Sequence, residues 1–237
     1  GNIDGTSGDY VLRNFENIFG GDGNDSIVGN DIANQLSGLN GNDTLLGGLG
    51  DDTLDGGNGT DLASYATATG AVTIDLGTGS SAGAHGNDAL SNFENALGGA
   101  GNDSIIGSGI ANELSGGNGN DTINGDAGND SLYGSEGNDQ ITGGFGNDML
   151  FGGAGDDSLT DDQGLNVLDG GDGNDSLNSA SVTGKPVLLG GAGDDSLNAT
   201  GKVVVADGGE GNDSLNASGW TNNSYVTNGA ANLTGGS

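Results

Sequence analysis

Cysteine is absent from this chain, and proline occurs once in 237 residues. Whatever staples the fold is therefore not a disulfide, which fits a secreted protein that uses metal instead. Positive charge is nearly missing too: 3 Lys or Arg stand against 34 Asp or Glu, a formal net charge of -31. That balance excludes direct nucleic-acid binding and adhesion to an anionic membrane, both of which draw on basic patches. No apolar run reaches the length of a membrane span, and residues 1–20 carry neither a basic start nor an apolar stretch. Hydrophobic residues amount to 31% and aromatics to 4%, little material for an ordinary core against so much self-repulsion. Scattered acids in such a chain would mean disorder. These acids are not scattered.

Glycine is what the chain has in plenty, 54 residues, and it recurs with the acids on a nine-residue period. The pattern Gly-Gly-x-Gly-x-Asp-x-(Leu/Ile)-x stands complete at residues 20–28 (GGDGNDSIV), 98–106, 116–124, 143–151 and 170–178. A fixed period of this kind means a stack of one small unit. Two blocks are visible, 20–64 and 98–216, introduced by the near-duplicates RNFENI (13–18) and SNFENA (91–96). Residues 65–97 between them are expected to be a joint with short strands, such as AVTIDL at 71–76, where the register of the repeat resets. Residues 1–19 read as a leading or capping segment. Residues 217–237 read as a capping or truncated segment, whose last residues, TGGS, look like the opening of another repeat in a longer protein.

Within one repeat, Gly at positions 1, 2 and 4 suits a tight turn, and positions 6–9 suit a short strand. Only position 8 is reliably apolar, as in Ile27, Leu36, Leu45, Ile105, Leu132 and Leu150. One such residue in nine fills only a narrow, two-sided coil in which alternate repeats form opposite walls and 18 residues complete a turn. The expected fold is all-β, a right-handed parallel β-roll in two stacks.

In that coil, turns 18 residues apart stack at about 4.8 Å, so the position-6 aspartates form columns. Two bare carboxylates at that separation repel by about 3.5 kcal/mol at an effective dielectric of about 20. A hard cation reverses the sign, and calcium accepts six to eight oxygens in flexible geometry. One column holds Asp103, Asp121, Asp139, Asp157, Asp175, Asp195 and Asp213; its opposite wall holds Asp130 and Asp148, with Asn112 and Asn166 at the ends. The first block offers Asp25, Asp43 and Asp61 on one wall, and Asp52 with Asn34 on the other. The turn glycines Gly20, Gly38, Gly98, Gly116, Gly143, Gly152, Gly170, Gly190 and Gly208 are expected to aim carbonyls at the ion. Neighbouring aspartate pairs suggest about nine calcium ions, with weaker sites where Asn replaces Asp. Beyond residue 179 one wall changes: Val204 stands where Asp is expected, and that wall should rely on apolar packing. The tail, with Trp220 and Tyr225, is expected to cover the end of the stack.

These tandem nonapeptides resemble the RTX (repeats-in-toxin) family of secreted bacterial proteins, over about two-thirds of the chain. The resemblance implies calcium held by ladder carboxylates and turn carbonyls. It also implies type I export of an unfolded chain that folds outside the cell, as part of a larger extracellular or cell-surface protein. An adhesin or surface-layer role, with calcium-dependent self-association or polysaccharide binding, is the second implied reading.

Other features carry less. Gly79-Ser80-Ser81-Ala82-Gly83 matches the nucleophile-elbow pattern, but its flanks lack the strand before and helix after that an elbow needs. His85, the single histidine, rules out a two-histidine zinc motif within the chain and reads as a solvated joint residue. Catalysis is not expected. Asn at position 5 (Asn24, Asn42, Asn120, Asn138) is expected to bond locally within its turn.

Overall fold

The computed structural model describes residues 9–11, 17–180, 185–200, 205–218, 225–227 and 232–234, with side chains placed for 17–180, 185–200 and 205–216. Every regular element among them is a β-strand, and no described helix is long and apolar enough to cross a membrane. The chain divides into two compact units, Gly1–Ser108 and Gly109–Ser237. Each is a parallel β-roll built from two facing walls.

In the first unit, one wall stacks Asp9–Val11, Ser26–Val28, Thr44–Leu46, Leu62–Ser64 and Asn95–Leu97, all parallel. The other stacks Asn17–Gly21, Gln35–Asn40, Thr53–Asn58 and Ala89–Ser91, also parallel. It then admits an antiparallel pair, Ser80–Gly83 with Val72–Asp75, before Ser104–Ile106. In the second unit, a wall of six-residue strands runs from Glu113–Asn118 through Ser131–Glu136, Met149–Ala154, Val167–Asp172 and Val187–Ala192 to Val205–Glu210. Shorter strands, from Thr122–Asn124 through Gln140–Thr142, Ser158–Thr160, Ser176–Ser179 and Ser196–Thr200 to Ser214–Ser218, make the other wall.

The strands begin at position 7 of the repeat, one residue later than the sequence suggests, because position 6 turns its side chain into the loop. Position 8 then faces inward. Ile27, Leu36, Leu45, Ile105, Leu114, Leu132, Ile141, Leu150, Leu159, Leu168 and Leu177 are all fully buried. The core is thus a single file of Leu and Ile on each wall, and each side chain meets its equivalents one turn away, as in Leu132↔Leu150. Burying one such side chain contributes about 1.5–3 kcal/mol, too little per nine ordered residues to hold the coil unaided.

Two segments outside the intact repeats also carry rungs of the walls. Residues 65–97 are not only a joint. Ala89–Ser91 and Asn95–Leu97 are rungs of the two walls, and residues 83–91 (GAHGNDALS) form a degenerate repeat whose Asp88, 36 residues along the chain, stands one rung from Asp52. The period is kept as far as Asp88, with the residues before it looped out as the antiparallel pair, and the register resets after it, since Asn95–Leu97 pairs with Leu62–Ser64 at a spacing of 33 residues. The tail also extends the stack: Tyr225–Thr227 pairs with Val205–Asp207, and Asn232–Thr234 with the strand that begins at Ser214. Trp220 and Val204 lie outside the described residues.

The three glycines of the turn have different causes. Positions 2 and 4 take positive φ in most turns, as at Gly153 (114°) and Gly155 (125°). Leu39 (79°), Asp126 (69°) and Ser135 (87°) adopt that conformation at position 2 without being glycine. Position 1 has no such angle. Its need for glycine is steric and belongs to the site.

Candidate metal centre

Every aspartate expected to line the columns is buried, with relative exposure between 0% and 3%. Along each column one carboxylate oxygen serves the backbone of the neighbouring turn. The N–H of Asp25 donates to Asp43 Oδ1 at 2.8 Å, and Asp43 N–H to Asp61 Oδ1 at 2.7 Å. The same link joins Asp121 to Asp139 (2.7 Å), Asp139 to Asp157 (2.8 Å), Asp157 to Asp175 (2.8 Å), Asp175 to Asp195 (2.8 Å) and Asp195 to Asp213 (3.1 Å). On the opposite wall Asp130 is linked to Asp148 (2.8 Å), and Asn112 N–H donates to Asp130 Oδ1 (2.8 Å). Asp52 Oδ1 takes the Asn34 N–H at 2.8 Å. A chain of main-chain donors therefore fixes each column, across the 20-residue step to Asp195 as well as the 18-residue ones.

The second oxygen is the reactive half. In Asp43, Asp52, Asp61, Asp130, Asp139, Asp148, Asp157, Asp175, Asp195 and Asp213, Oδ2 is buried with no hydrogen-bond partner. Leaving one buried charged acceptor unpaired costs more than about 1–3 kcal/mol, and rows of them need a counter-charge. The position-1 glycines show where it fits. A Cβ built on Gly152 would strike Asp157 Oδ2 and come within 2.5 Å of the Gly170 carbonyl oxygen. Gly134 repeats this with Asp139 Oδ2 and the Gly152 oxygen at 2.6 Å, and Gly170 with Asp175 Oδ2 and the Gly190 oxygen at 2.6 Å. Gly20, Gly38, Gly116, Gly190 and Gly208 likewise face Asp25, Asp43, Asp121, Asp195 and Asp213. Carboxylate and carbonyl oxygens thus converge on one point per turn. Among the described residues no three Asp, Glu, His or Cys side chains make a cluster, so main-chain oxygens must complete each shell. Oxygen-only donors, several neutral and set on a flexible turn, suit calcium better than zinc or magnesium.

The electrostatics agree. Burial pushes Asp52, Asp61, Asp130 and Asp195 up to about 6 and Asp157 to about 7, with neighbouring carboxylates adding to it. Asp43, Asp139 and Asp175 are raised for the same reason. Main-chain N–H donors partly offset the rise, and no base stands beside these groups to do more.

Gly152→Ala tests the convergence. The added methyl takes the space of the cation, so the protein should lose about 1–3 kcal/mol and bind less calcium, measured by melting and equilibrium dialysis. Unchanged calcium binding would contradict this placement of the ion.

Asp103 differs from the rest of its column: Oδ1 accepts Val72 N–H (2.8 Å) and Oδ2 accepts Gly99 N–H (2.7 Å), next to Gly98. Sequence reasoning missed three carboxylates. Glu94, of the FEN segment, accepts Asp61 N–H at 2.8 Å as the next rung. Asp161, at position 1 of the turn 161–166, is another. Asp88 accepts Asp52 N–H through Oδ1 (2.9 Å), while its Oδ2 lies 2.8 Å from the Tyr65 hydroxyl and 2.9 Å from that of Ser81. Hydroxyls there do what a cation does elsewhere. Tyr65 is held neutral by burial and by the Asp88 charge, which raise its pKa. Tyr65→Phe should therefore cost about 1–2 kcal/mol of stability without changing the calcium bound, and a lost ion would show that Asp88 is a ligand instead.

Ser81 sits on the antiparallel strand Ser80–Gly83 and spends its hydroxyl on Asp88, with no helix following as an elbow requires. His85 is not solvated: it is 7% exposed, packs at 6.0 Å from the Tyr65 ring and faces Thr67 Oγ1 at 3.4 Å. The position-5 side chains bond between turns and not within them, in the opposite sense to the aspartates. Asn42 N–H donates to Asn24 Oδ1, Asn138 N–H to Asn120, Asp156 N–H to Asn138 and Asn174 N–H to Asp156.

A search of curated proteins found no match to the chain. The family described as RTX calcium-binding nonapeptide repeat (4 copies) matches residues 15–31, 28–63, 93–109, 115–150, 151–181 and 189–219. With more than half of its length matched and the aspartate columns in place, the chain belongs to the RTX calcium-binding repeat family.

Proposed function

We propose that this chain is a calcium-binding structural module that folds when it meets calcium outside the cell and stabilises a larger extracellular bacterial protein. The observation that carries the reading is the row of buried Oδ2 atoms without partners beside position-1 glycines, joined in turns such as those of Gly38, Gly134, Gly152, Gly170 and Gly190 by a carbonyl of the next turn. Such a coil assembles poorly where calcium is scarce, as in a cytosol, and well where it is abundant. That behaviour suits export of an unfolded chain through a type I channel. The side chains that resembled a catalytic elbow are committed to a buried structural network, which favours a scaffold over an enzyme.

Equilibrium dialysis against millimolar calcium tests the proposal, and about nine ions per chain are expected from the adjacent aspartates. A chain that binds none, yet stays folded, would end this reading.

A further inference from the structure

The turn at residues 161–166 (DDQGLN) departs from the repeat at both ends, with Asp161 where position 1 should be glycine and Asn166 where position 6 should be aspartate. Read along the period, this turn loses a ligand. We infer that the two departures compensate, and that Asp148 and Asp161 together form a calcium site outside the nonapeptide pattern. The inference rests on calcium being the ligand of the ordinary turns, as proposed above.

Asn166 keeps the structural half of the missing aspartate. Its Oδ1 accepts Asp148 N–H at 3.1 Å, so the column link is intact, and its Nδ2 is engaged by the Gln163 carbonyl. An amide that does this has no carboxylate oxygen left to offer. Asp161 supplies it from five residues earlier. Its Oδ1 accepts Gln163 N–H at 3.0 Å, which fixes the side chain, and its Oδ2 has no partner at 1% residue exposure. The Asp148 Oδ2, at 0% exposure, faces that same carboxylate and has no other partner.

The two oxygens point to one place. A Cβ built on Gly143 would strike Asp161 Oδ2 and lie 2.9 Å from Asp148 Oδ2. In ordinary turns that space receives one carboxylate and one main-chain carbonyl oxygen, as Gly152 does from Asp157 and Gly170. Here the side chain of Asp161 stands in for the carbonyl. The site therefore holds two carboxylates and no facing base, a donor set that a divalent, oxygen-seeking cation completes.

The test is anomalous diffraction from crystals soaked in terbium, a calcium substitute, for the wild type, Asp161→Asn and Asp161→Gly. Asp161→Asn keeps an oxygen to accept the Gln163 N–H, so the fold should survive, and it removes the carboxylate. Asp161→Gly restores the glycine of the repeat and with it the ordinary set of one carboxylate and one main-chain carbonyl. The expected result is a peak beside Asp148 and Asp161 in the wild type, its loss in Asp161→Asn, and its return in Asp161→Gly. In solution, Asp161→Asn should bind one calcium fewer per chain. Peaks beside Asp139, Asp157 and Asp175 but none at Asp148 in the wild type would overturn this inference alone, as would a peak that persists in Asp161→Asn. An absence of peaks at every column would instead overturn the proposed function.

Discussion

In chelator at pH 7.5 the chain should lose its β-sheet circular dichroism, and millimolar calcium should restore it. Each site with free calcium tenfold above its dissociation constant adds about 1.4 kcal/mol, so nine sites add about 13 kcal/mol. That matches the whole stability of an ordinary domain, about 5–15 kcal/mol. The structure explains why nothing else makes up the difference. The core is one Leu or Ile per repeat, and stacked carboxylates about 4.8 Å apart repel by about 3.5 kcal/mol per pair at an effective dielectric of about 20. The melting temperature should accordingly fall by several tens of degrees on chelation, at roughly 2–4 °C per kcal/mol. A calcium-free spectrum identical to the loaded one would mean that packing alone holds the roll.

The second large effect is an inverted pH dependence. In the metal-free protein, burial raises Asp52, Asp61, Asp130 and Asp195 to about 6 and Asp157 to about 7, and burial with the Asp148 carboxylate beside it raises Asp161 as well. Their unfolded value is about 3.9. Between these limits the folded chain binds more protons than the unfolded one, so its stability falls as pH rises from about 4 to about 7. Acidifying a metal-free solution from pH 7.5 to pH 5 should therefore recover strand content, the reverse of ordinary acid denaturation. With calcium present the sign changes, because protons and calcium compete for the same oxygens. Half-folding at pH 5 should then need more calcium than at pH 7.5. Circular dichroism titrations at the two pH values check both arms, and metal-free stability that rises with pH would contradict the burial of these carboxylates.

The repeat made most of the fold legible. Gly-Gly-x-Gly-x-Asp-x-Leu states its own turn, strand and inward residue within nine positions, and each repeat needs only its neighbours. Burial of Asp25, Asp130 and Asp157 could be read from the period because identical positions must stack. The structure was needed where the chain leaves the period. Asp88 and Glu94 fall outside the runs of intact repeats, and their return to register depends on looping out the Val72–Asp75 and Ser80–Gly83 pair. No local pattern encodes that return. His85 read as solvated for the same reason: only packing against Tyr65 buries it.

The sequence by itself determined a parallel roll of calcium-binding repeats, since spacing decides which carboxylates share a column and composition leaves no other counter-charge. Tertiary structure alone decided how each carboxylate divides its two oxygens. Oδ1 is taken by a main-chain N–H one turn away, and Oδ2 is turned toward a glycine that has no room for a methyl group. It also decided that Asp88 is satisfied by hydroxyls and that Asp161 lies against Asp148. Those outcomes depend on distances between residues far apart in the chain, which a nine-residue period does not specify.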